Sequence, residues 1–197
     1  QENKGESINN VVFMGMGEPF LNYEQFIKAV KILNDAEKFN LGSRRMSVST
    51  AGIVEGIKKL STEKLQVNLA ISLHAAVDSL REQLMPIAKK YSIAGILKAV
   101  DEYIRKTGRR VMFEYIMIKN VNDGEDDAVA LAQLMKKPLY LVNLIPYNPT
   151  GKFQASSPAR IKEFKEKLES LGVAVTERHS QGRGISAACG QLAGKKK

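Results

Sequence analysis

The sequence predicts an α/β fold built around a parallel β-sheet. Roughly five to six short apolar segments typical of strands alternate with segments of helical periodicity, and few connections exceed a handful of residues. Polar residues stand at or just past the carboxyl ends of several of these strands. The 197 residues, 44% hydrophobic and 26% charged, fit one globular domain with a sizeable core, and no internal repeat or low-complexity linker divides them.

The strands are predicted from short runs of β-branched and apolar residues bounded by turn residues. They cover residues 11–14, 44–50, 66–73, 111–118, 139–145 and 173–178. The helices are predicted from apolar residues at helical spacing, with Asn22 as an N-cap, Pro86 as a stop, Gly108 as a terminator and Pro158 as the start of the last clear helix. They cover residues 23–39, 53–60, 78–85, 93–106, 126–136 and 158–171, and residues 182–192 close the chain.

The first strand runs into a glycine-rich turn that ends in an acid. Gly15 and Gly17 let the backbone turn tightly and approach a ligand closely. Pro19 biases Glu18 towards an extended conformation, so the carboxylate lies at the carboxyl end of the strand. A dinucleotide-binding G-x-G-x-x-G loop would need glycine where Phe20 stands, so that interpretation is set aside.

Polar side chains end several of the predicted strands. They are Glu18, Ser49, Ser72, His74 and Asn148. In a closed or partly closed barrel these positions converge on one face, where ligands bind, and several of them together indicate a shared small-molecule site. Glu114 differs because it lies in the middle of an apolar strand. It either faces a cofactor at the barrel centre or pairs with an arginine such as Arg45 or Arg110.

Charge and cysteine content narrow the class of protein. The 30 Lys and Arg against 21 Asp and Glu give a net charge of +9 and a pI near 9.6, which makes a nucleic-acid partner worth considering. Lys195–Lys197 form a basic end that we expect to be disordered. The only cysteine, Cys189, excludes an internal disulfide, and by default it is a small buried hydrophobe. A lone cysteine is typical of an intracellular, reduced protein, so the sequence predicts a cytoplasmic protein. It contains no membrane-spanning run, and residues 1–10 do not form a secretory signal.

Six motifs along the chain belong together. They are residues 13–19 (FMGMGEP), 47–52 (SVSTAG), 72–75 (SLHA), 84–87 (LMPI), 143–149 (NLIPYNP) and 187–192 (AACGQL). In this order they resemble the RlmN/Cfr family of radical S-adenosylmethionine RNA methyltransferases, from about Val11 to Gly194. The resemblance implies a partial (β/α)6 radical-SAM barrel that binds S-adenosylmethionine and a [4Fe–4S] cluster. It also implies methylation of an adenine in 23S rRNA, with the motifs favouring the carbon-2 (RlmN) branch and leaving tRNA open as a second substrate.

The resemblance also suggests roles for particular residues. Gly17 and Glu18 match the motif that receives the amino group of S-adenosylmethionine, where a carboxylate can pair with an ammonium. The remaining cofactor contacts fall on Ser49, Ser72, Leu73, His74 and Asn148. For His74 the alternative is a hydrogen-bonded histidine at a strand end, and His179, which matches no motif, is expected to be structural or on the surface. Cys189 matches the methyl-carrying cysteine, whose thiolate takes a methyl group that is then passed, through a radical, to the adenine.

The chain departs from the family pattern in two places. The family holds its cluster in a C-x₃-C-x₂-C loop and has a further cysteine that resolves the protein–RNA adduct, whereas this chain has only Cys189, so no metal ligand is predicted in it. Residues 182–186 (GRGIS) lack the acidic residues that usually flank the isoleucine. We therefore expect residues 1–194 to be the C-terminal part of the enzyme, an incomplete barrel lacking its first strand and cluster loop, and inactive when isolated.

The expected partners follow from the same resemblance. The intact protein should act as a monomer, away from membranes, on 23S rRNA, with an electron donor for its cluster. Two other functions remain open. The charge and the absent cluster ligands permit a catalytically inactive RNA-binding module, and the motifs permit a different radical-SAM enzyme that acts on small molecules or peptides.

Overall fold

The computed structural model describes residues 8–148 and 151–178. Six parallel strands form one sheet, in the order in which they occur along the chain. They are β1 (Val11–Phe13), β2 (Met46–Thr50), β3 (Asn68–Ser72), β4 (Val111–Met117), β5 (Tyr140–Pro146) and β6 (Val175–Glu177). Because each pair of neighbouring strands is connected through at least one helix, the predicted α/β fold with a parallel sheet is confirmed.

The helices occupy the connections between strands. They are α1 (Tyr23–Asn34), α2 (Val54–Leu60), α3 (Asp78–Leu84), α4 (Ile93–Thr107), α5 (Glu125–Met135) and α6 (Pro158–Ser170). Gly108 ends α4 in the left-handed conformation and Pro158 opens α6, both as predicted. Asn22 precedes α1 but makes no side-chain capping hydrogen bond. Within the two described ranges, no helix is both long and apolar enough to cross a membrane.

The first helix is shorter than predicted, because it ends at Asn34 instead of Phe39. Asp35 adopts an extended conformation and its carboxylate accepts a hydrogen bond from the backbone N–H of Glu37 (3.0 Å), while the Asn34 side chain donates to the carbonyl of Leu41 (3.0 Å). Asn and Asp side chains commonly offer the backbone such local bonds in place of helical ones. Phe39 is consequently 67% exposed instead of packing on the helix face.

Alternate residues of each strand face opposite sides of the sheet. One side packs against the helices and forms the core, where Val48 of β2 and Phe113 of β4 are fully buried. The other side is the inside of a curved sheet: Nη1 of Arg178, just after β6, lies 3.4 Å from Sδ of Met14, just after β1, although four strands separate them. Among the described residues β1 and β6 do not pair, so the sheet is an incompletely closed barrel.

Candidate functional site

A cavity of about 760 Å³ opens at the carboxyl ends of the strands, within the size range of cofactor and small-molecule sites. Six of the seven predicted cofactor-binding residues line it: Gly17, Glu18, Ser49, Ser72, His74 and Asn148. Leu73 does not, because its side chain is fully buried in the core and its backbone groups bond to Glu114 and Arg81. The structure thus brings polar residues from the ends of four strands to one place, as the strand-end pattern predicts.

The Glu18 carboxylate is held by backbone groups from two different loops. Oε1 accepts a hydrogen bond from the N–H of Phe20 (3.0 Å), and Oε2 accepts one from the N–H of Ala51 (2.7 Å), which follows β2. Gly17, with φ +90, turns the chain in a conformation that other residues rarely adopt. Gly56 of α2 lies so close to the Phe20 ring that a methyl group there would overlap it. The loop bearing Glu18 is therefore anchored to β2 and α2.

A second carboxylate, Glu114, lies inside the curved sheet and is 4% exposed. Oε2 accepts a hydrogen bond from Ser49 Oγ (2.7 Å) and lies 3.5 Å from Ser72 Oγ, while Oε1 lies 3.6 Å from Arg178 Nη1 and accepts no hydrogen bond. Burial raises the pKa of Glu114, and the Ser49 hydrogen bond and the Arg178 guanidinium oppose that rise. The predicted pairing with an arginine is confirmed in kind, but the arginine is Arg178 and not Arg45 or Arg110. Glu114 also lines the cavity, and the alternative that it faces a cofactor stays a prediction.

Glu114 belongs to a row of polar residues that crosses the inside of the sheet. The register pairs Ser72 with Glu114, Glu114 with Asn143, and Asn143 with Thr176. Thr176 Oγ1 donates to Asn143 Oδ1 (3.0 Å), so these two members of the row satisfy each other. A polar row is unusual inside a sheet of this kind and indicates that the inner surface serves a polar ligand instead of a dry core.

His74 follows β3 in a left-handed conformation (φ +60) that aims its ring at the cavity wall. Its Nδ1 accepts a hydrogen bond from the N–H of Ile116 (3.3 Å), and its carbonyl accepts one from Asn122 Nδ2 (2.8 Å). Burial, reinforced by the nearby Arg81 guanidinium, lowers the pKa of His74 to about 4. The ring is therefore neutral near pH 7, and because Nδ1 accepts, its proton is on Nε2, which can donate to a ligand.

A fully buried arginine, Arg81 of α3, supports the cavity from behind. Its guanidinium donates to four backbone carbonyls: Ala51 (2.6 Å), Ser72 (3.2 Å), Leu73 (3.1 Å) and Tyr91 (3.0 Å). Three of these carbonyls follow or end β2 and β3, so one side chain fixes the spacing between the two strand ends that carry Ser49 and Ser72. Arg81 lies outside the motif positions that suggested the cofactor contacts, and its burial could not be read from a short amphipathic helix.

Asn148 is 5% exposed and lines the cavity beyond β5. Cys189, His179, the segment 182–192 and Lys195–Lys197 lie outside the described residues, so the predictions made for them stay predictions. Arg178 and Thr176 are lining or inner-face residues outside the six motifs, and Asn143 begins one of the motifs but was not predicted as a site residue. Period-2 alternation along β4 and β5 could have placed Glu114 and Asn143 on one face, but the contact with Arg178 joins residues distant in sequence and depends on sheet curvature.

This fold and site define a class of protein, which comparison with known families identifies. Residues 2–132, more than half of the chain, match the model of the Radical SAM superfamily, and the chain belongs to that superfamily. It is 50% identical over 192 residues to the probable dual-specificity RNA methyltransferase RlmN of Symbiobacterium thermophilum, covering 96% of this chain and 52% of that protein. It is 48% identical to the ribosomal RNA large subunit methyltransferase N of Nitrosopumilus maritimus, covering 97% and 55%. The chain spans about half the length of these curated relatives.

Solved structures give the same grouping. A radical SAM methyltransferase from Sphaerobacter thermophilus superposes with a TM-score of 0.92 at 46% identity, covering 95% of this chain and 55% of that one. A domain of a pyruvate-formate lyase-activating enzyme from Bacteroides vulgatus superposes with a TM-score of 0.65 at 19% identity and shares the fold. The resemblance to RlmN proteins inferred from the six motifs is confirmed by these relatives.

Members of this superfamily use S-adenosylmethionine and a [4Fe–4S] cluster, and the chain fits the two groups unequally. The cavity suits S-adenosylmethionine, because it combines carboxylates, hydroxyls and an imidazole, and Glu114 Oε1 is a buried acceptor without a hydrogen bond. The cluster does not fit. It needs several cysteine thiolates and the sequence has one, and no group of three His, Cys, Asp or Glu that could hold a metal occurs among the described residues.

Proposed function

We propose that this chain is the cofactor-binding and methyl-carrying part of a radical SAM RNA methyltransferase. The observation that carries the proposal is the convergence of Glu18, Ser49, His74 and Asn148 on one cavity. The names of the relatives supply the reaction class. The substrate is proposed to be an adenine of 23S rRNA, methylated at carbon 2, with tRNA as a second substrate to be tested.

Each group around the cavity suits a different part of S-adenosylmethionine, which supplies the transferable methyl group when bound. The Glu18 carboxylate, already held by two N–H groups, has lone pairs left for the ammonium, a charge-assisted contact worth about 1.5–3 kcal/mol. Gly17 has open space where a side chain would be, so the backbone can approach the ligand. His74 Nε2–H and the Asn148 amide can bind the carboxylate and the adenine ring. The role of Leu73 reduces to its backbone, which shapes the turn after β3.

Glu114 acts as a positioning residue in this proposal. Because Ser49 donates its hydroxyl proton to Glu114 Oε2, the Ser49 lone pairs are left as acceptors for a ligand hydroxyl such as a ribose O–H. Ser72 Oγ, 3.2 Å from Ser49 Oγ, extends the same network. Arg178 offsets the charge of the buried Glu114 carboxylate, and its contact with Met14 holds the arginine next to β1.

Cys189 is proposed as the methyl carrier. It follows Arg178 by eleven residues, and Arg178 lies in the cavity lining, so the chain leaves the described part of the structure close to the site. A thiolate is a strong nucleophile at modest pKa, and its sulfur can accept a methyl group from a sulfonium donor. Ala187, Ala188 and Gly190 are small neighbours that would leave the sulfur accessible.

The remaining parts of the proposal concern the whole protein. The cluster ligands must come from outside these 197 residues, and an electron donor must reduce the cluster. Residues 1–194 are proposed to form one barrel domain followed by the basic end, and the protein is proposed to be a cytoplasmic monomer. The net charge of +9 favours an RNA substrate over a neutral small molecule.

The test uses the protein encoded by the complete reading frame that contains this chain, with its cluster assembled. It is incubated with unmethylated 23S rRNA transcript, S-adenosylmethionine and a reductant, and the RNA is digested and analysed by mass spectrometry. We expect 2-methyladenosine from the wild type, a methyl group on Cys189, and no product from Cys189→Ala. Ser170→Ala, far away on α6, is the control. A Cys189→Ala variant as active as wild type would contradict the proposal.

A second candidate is a catalytically inactive RNA-binding module, which the single cysteine and the positive charge favour. The two candidates make opposite predictions about the complete reading frame. A C-x₃-C-x₂-C segment before Gln1 supports the enzyme. Its absence, together with RNA binding and no methyl transfer, supports the module.

A further inference from the structure

The amino ends of the four central strands carry a row of cations, at the end of the sheet opposite the cavity. We call the row the basic rim. It consists of Arg44 and Arg45 before β2, Lys64 before β3, Arg109 and Arg110 before β4, and Lys136 and Lys137 before β5. All are exposed except Arg109, which is half-buried. Because neighbouring strands lie about 4.8 Å apart, the three intervals from β2 to β5 make the rim about 14 Å wide.

The rim arginines are oriented by neutral groups instead of carboxylates. Arg109 Nη2 donates to the side-chain carbonyl of Asn68 (2.7 Å), and Arg44 Nε donates to that of Gln66. Asn68 in turn donates to the backbone carbonyl of Arg44 (2.8 Å), so the cations before β2 and β4 share one amide. Amides fix the direction of a guanidinium without cancelling its charge, so these side chains keep their positive charge.

Helix α6 shows the opposite arrangement. Along α6 four cations pair with nearby glutamates: Arg160 with Glu163, Lys162 with Glu166, Lys165 with Glu169, and Lys167 with Glu125. On the rim only Lys137 has a carboxylate partner among the described residues, Asp101 at 2.7 Å. The nearby Glu63 bonds to the hydroxyl of Tyr23 instead. The positive charge of α6 is therefore locally neutralised, and that of the rim is not.

We propose that the basic rim binds the phosphate backbone of the RNA substrate, at a surface separate from the cavity. The inference rests on the proposed function for the identity of the polyanion. Guanidinium and ammonium groups in a row suit successive phosphates, and such contacts are independent of sequence and sensitive to salt. β4 has seven residues and is about 23 Å long, so the rim and the mouth of the cavity lie at opposite ends of the sheet. A single RNA that contacts both surfaces must be long enough to reach from one end of the sheet to the other.

The test compares two triple variants that lose the same charge, in the protein encoded by the complete reading frame. The rim triple is Arg44→Gln, Arg45→Gln and Arg110→Gln, and the control triple on α6 is Arg160→Gln, Lys162→Gln and Lys165→Gln. Affinity for a 23S rRNA transcript is measured by filter binding over a range of salt concentrations. For the rim triple we expect a log K against log[salt] slope shallower by about 2–3 and an affinity at least tenfold lower at about 0.1 M salt. The control triple should stay within about twofold of wild type.

Further variants and measurements distinguish the loss of rim contacts from a general effect of the substitutions on folding or charge. A rim triple of Arg→Lys keeps the charge and should keep most of the salt slope, and thermal melting should show that all three triples are folded. Because the rim contacts are independent of sequence, a short oligonucleotide should also bind the rim Gln triple more weakly than wild type, and it should bind the α6 Gln triple as it binds wild type. Equal loss of transcript binding by the rim and α6 Gln triples would overturn the inference. If wild type binds the transcript through the rim but transfers no methyl group, the rim stands and the proposed function fails.

Discussion

Replacing Arg81 with methionine should cause the largest stability loss of any single substitution near the site. The guanidinium satisfies four backbone carbonyls, those of Ala51, Ser72, Leu73 and Tyr91, at 2.6–3.2 Å. Methionine has similar length but no donor, so these buried acceptors lose that partner. At the lower figure of about 1 kcal/mol for each, the loss is about 4 kcal/mol, and removing the buried charge offsets part of it. In a chain of 197 residues about 2–4 °C accompanies each kcal/mol, so the full 4 kcal/mol would lower Tm by about 8–16 °C and the offset makes the fall smaller.

The assay is thermal unfolding followed by circular dichroism, with matched controls. Arg105→Met removes an exposed arginine from α4 and should change Tm by less than about 2 °C. Arg81→Lys keeps the charge but offers a smaller donor group, so its Tm should lie between wild type and Arg81→Met. If Arg81→Met fails to fold, the lysine variant still measures the effect. A Tm for Arg81→Met within about 3 °C of wild type would refute the argument that this side chain holds the two strand ends together.

Three other outcomes follow from the geometry of the site. In a His179→Gln background His74 is the only histidine of the 197 residues, and the midpoint of its NMR titration should lie near pH 4. Because the folded pKa of His74 is lowered, the stability that the neutral ring contributes is lost as pH falls from about 6.5 towards 4. A midpoint near 6.5 would show that the ring is exposed to solvent. Burial raises the pKa of Glu114, so between the unfolded and folded pKa values the folded state binds more protons than the unfolded chain. Wild type therefore loses stability as pH rises through that range, and the Tm of Glu114→Gln relative to wild type should increase with pH. A Tm difference that falls with pH would contradict this. Gly56→Ala should push Phe20 and cost about 1–3 kcal/mol in urea unfolding, whereas no change would mean that the loop is not anchored there.

The strands were the most predictable part of the fold. Runs such as residues 111–118 are short, apolar and bounded by turn residues, and their order along the chain dictates a parallel sheet with helical connections. The end of α1 was predicted wrongly because Ala36, three residues after Leu33, continues the helical spacing past Asn34. The local hydrogen bonds of Asn34 and Asp35 outweigh that spacing, and periodicity alone does not reveal such competition.

The site was predicted where residues follow strand ends and less well where it depends on curvature. Glu18 and Ser49 could be placed together because parallel strands end at one edge of the sheet. The ion pair of Glu114 could be expected in kind, since a buried carboxylate needs a partner, but the choice of Arg178 depends on how far the sheet bends. Arg81 left no sequence signal, because an arginine in a short helix usually faces solvent.

The most direct measurement of the central claim is the affinity for S-adenosylmethionine of a pair of serine variants. In the protein encoded by the complete reading frame, isothermal titration calorimetry compares Ser49→Ala, inside the cavity and bonded to Glu114, with Ser170→Ala, whose hydroxyl bonds only to a helix carbonyl on α6. A hydrogen bond between neutral groups, such as Ser49 Oγ and a ribose hydroxyl, is worth about 0.5–1.5 kcal/mol, so Ser49→Ala should weaken binding by about two- to tenfold. Ser170→Ala should bind as wild type does. Equal affinities for wild type and both variants would contradict the assignment of this cavity to the cofactor.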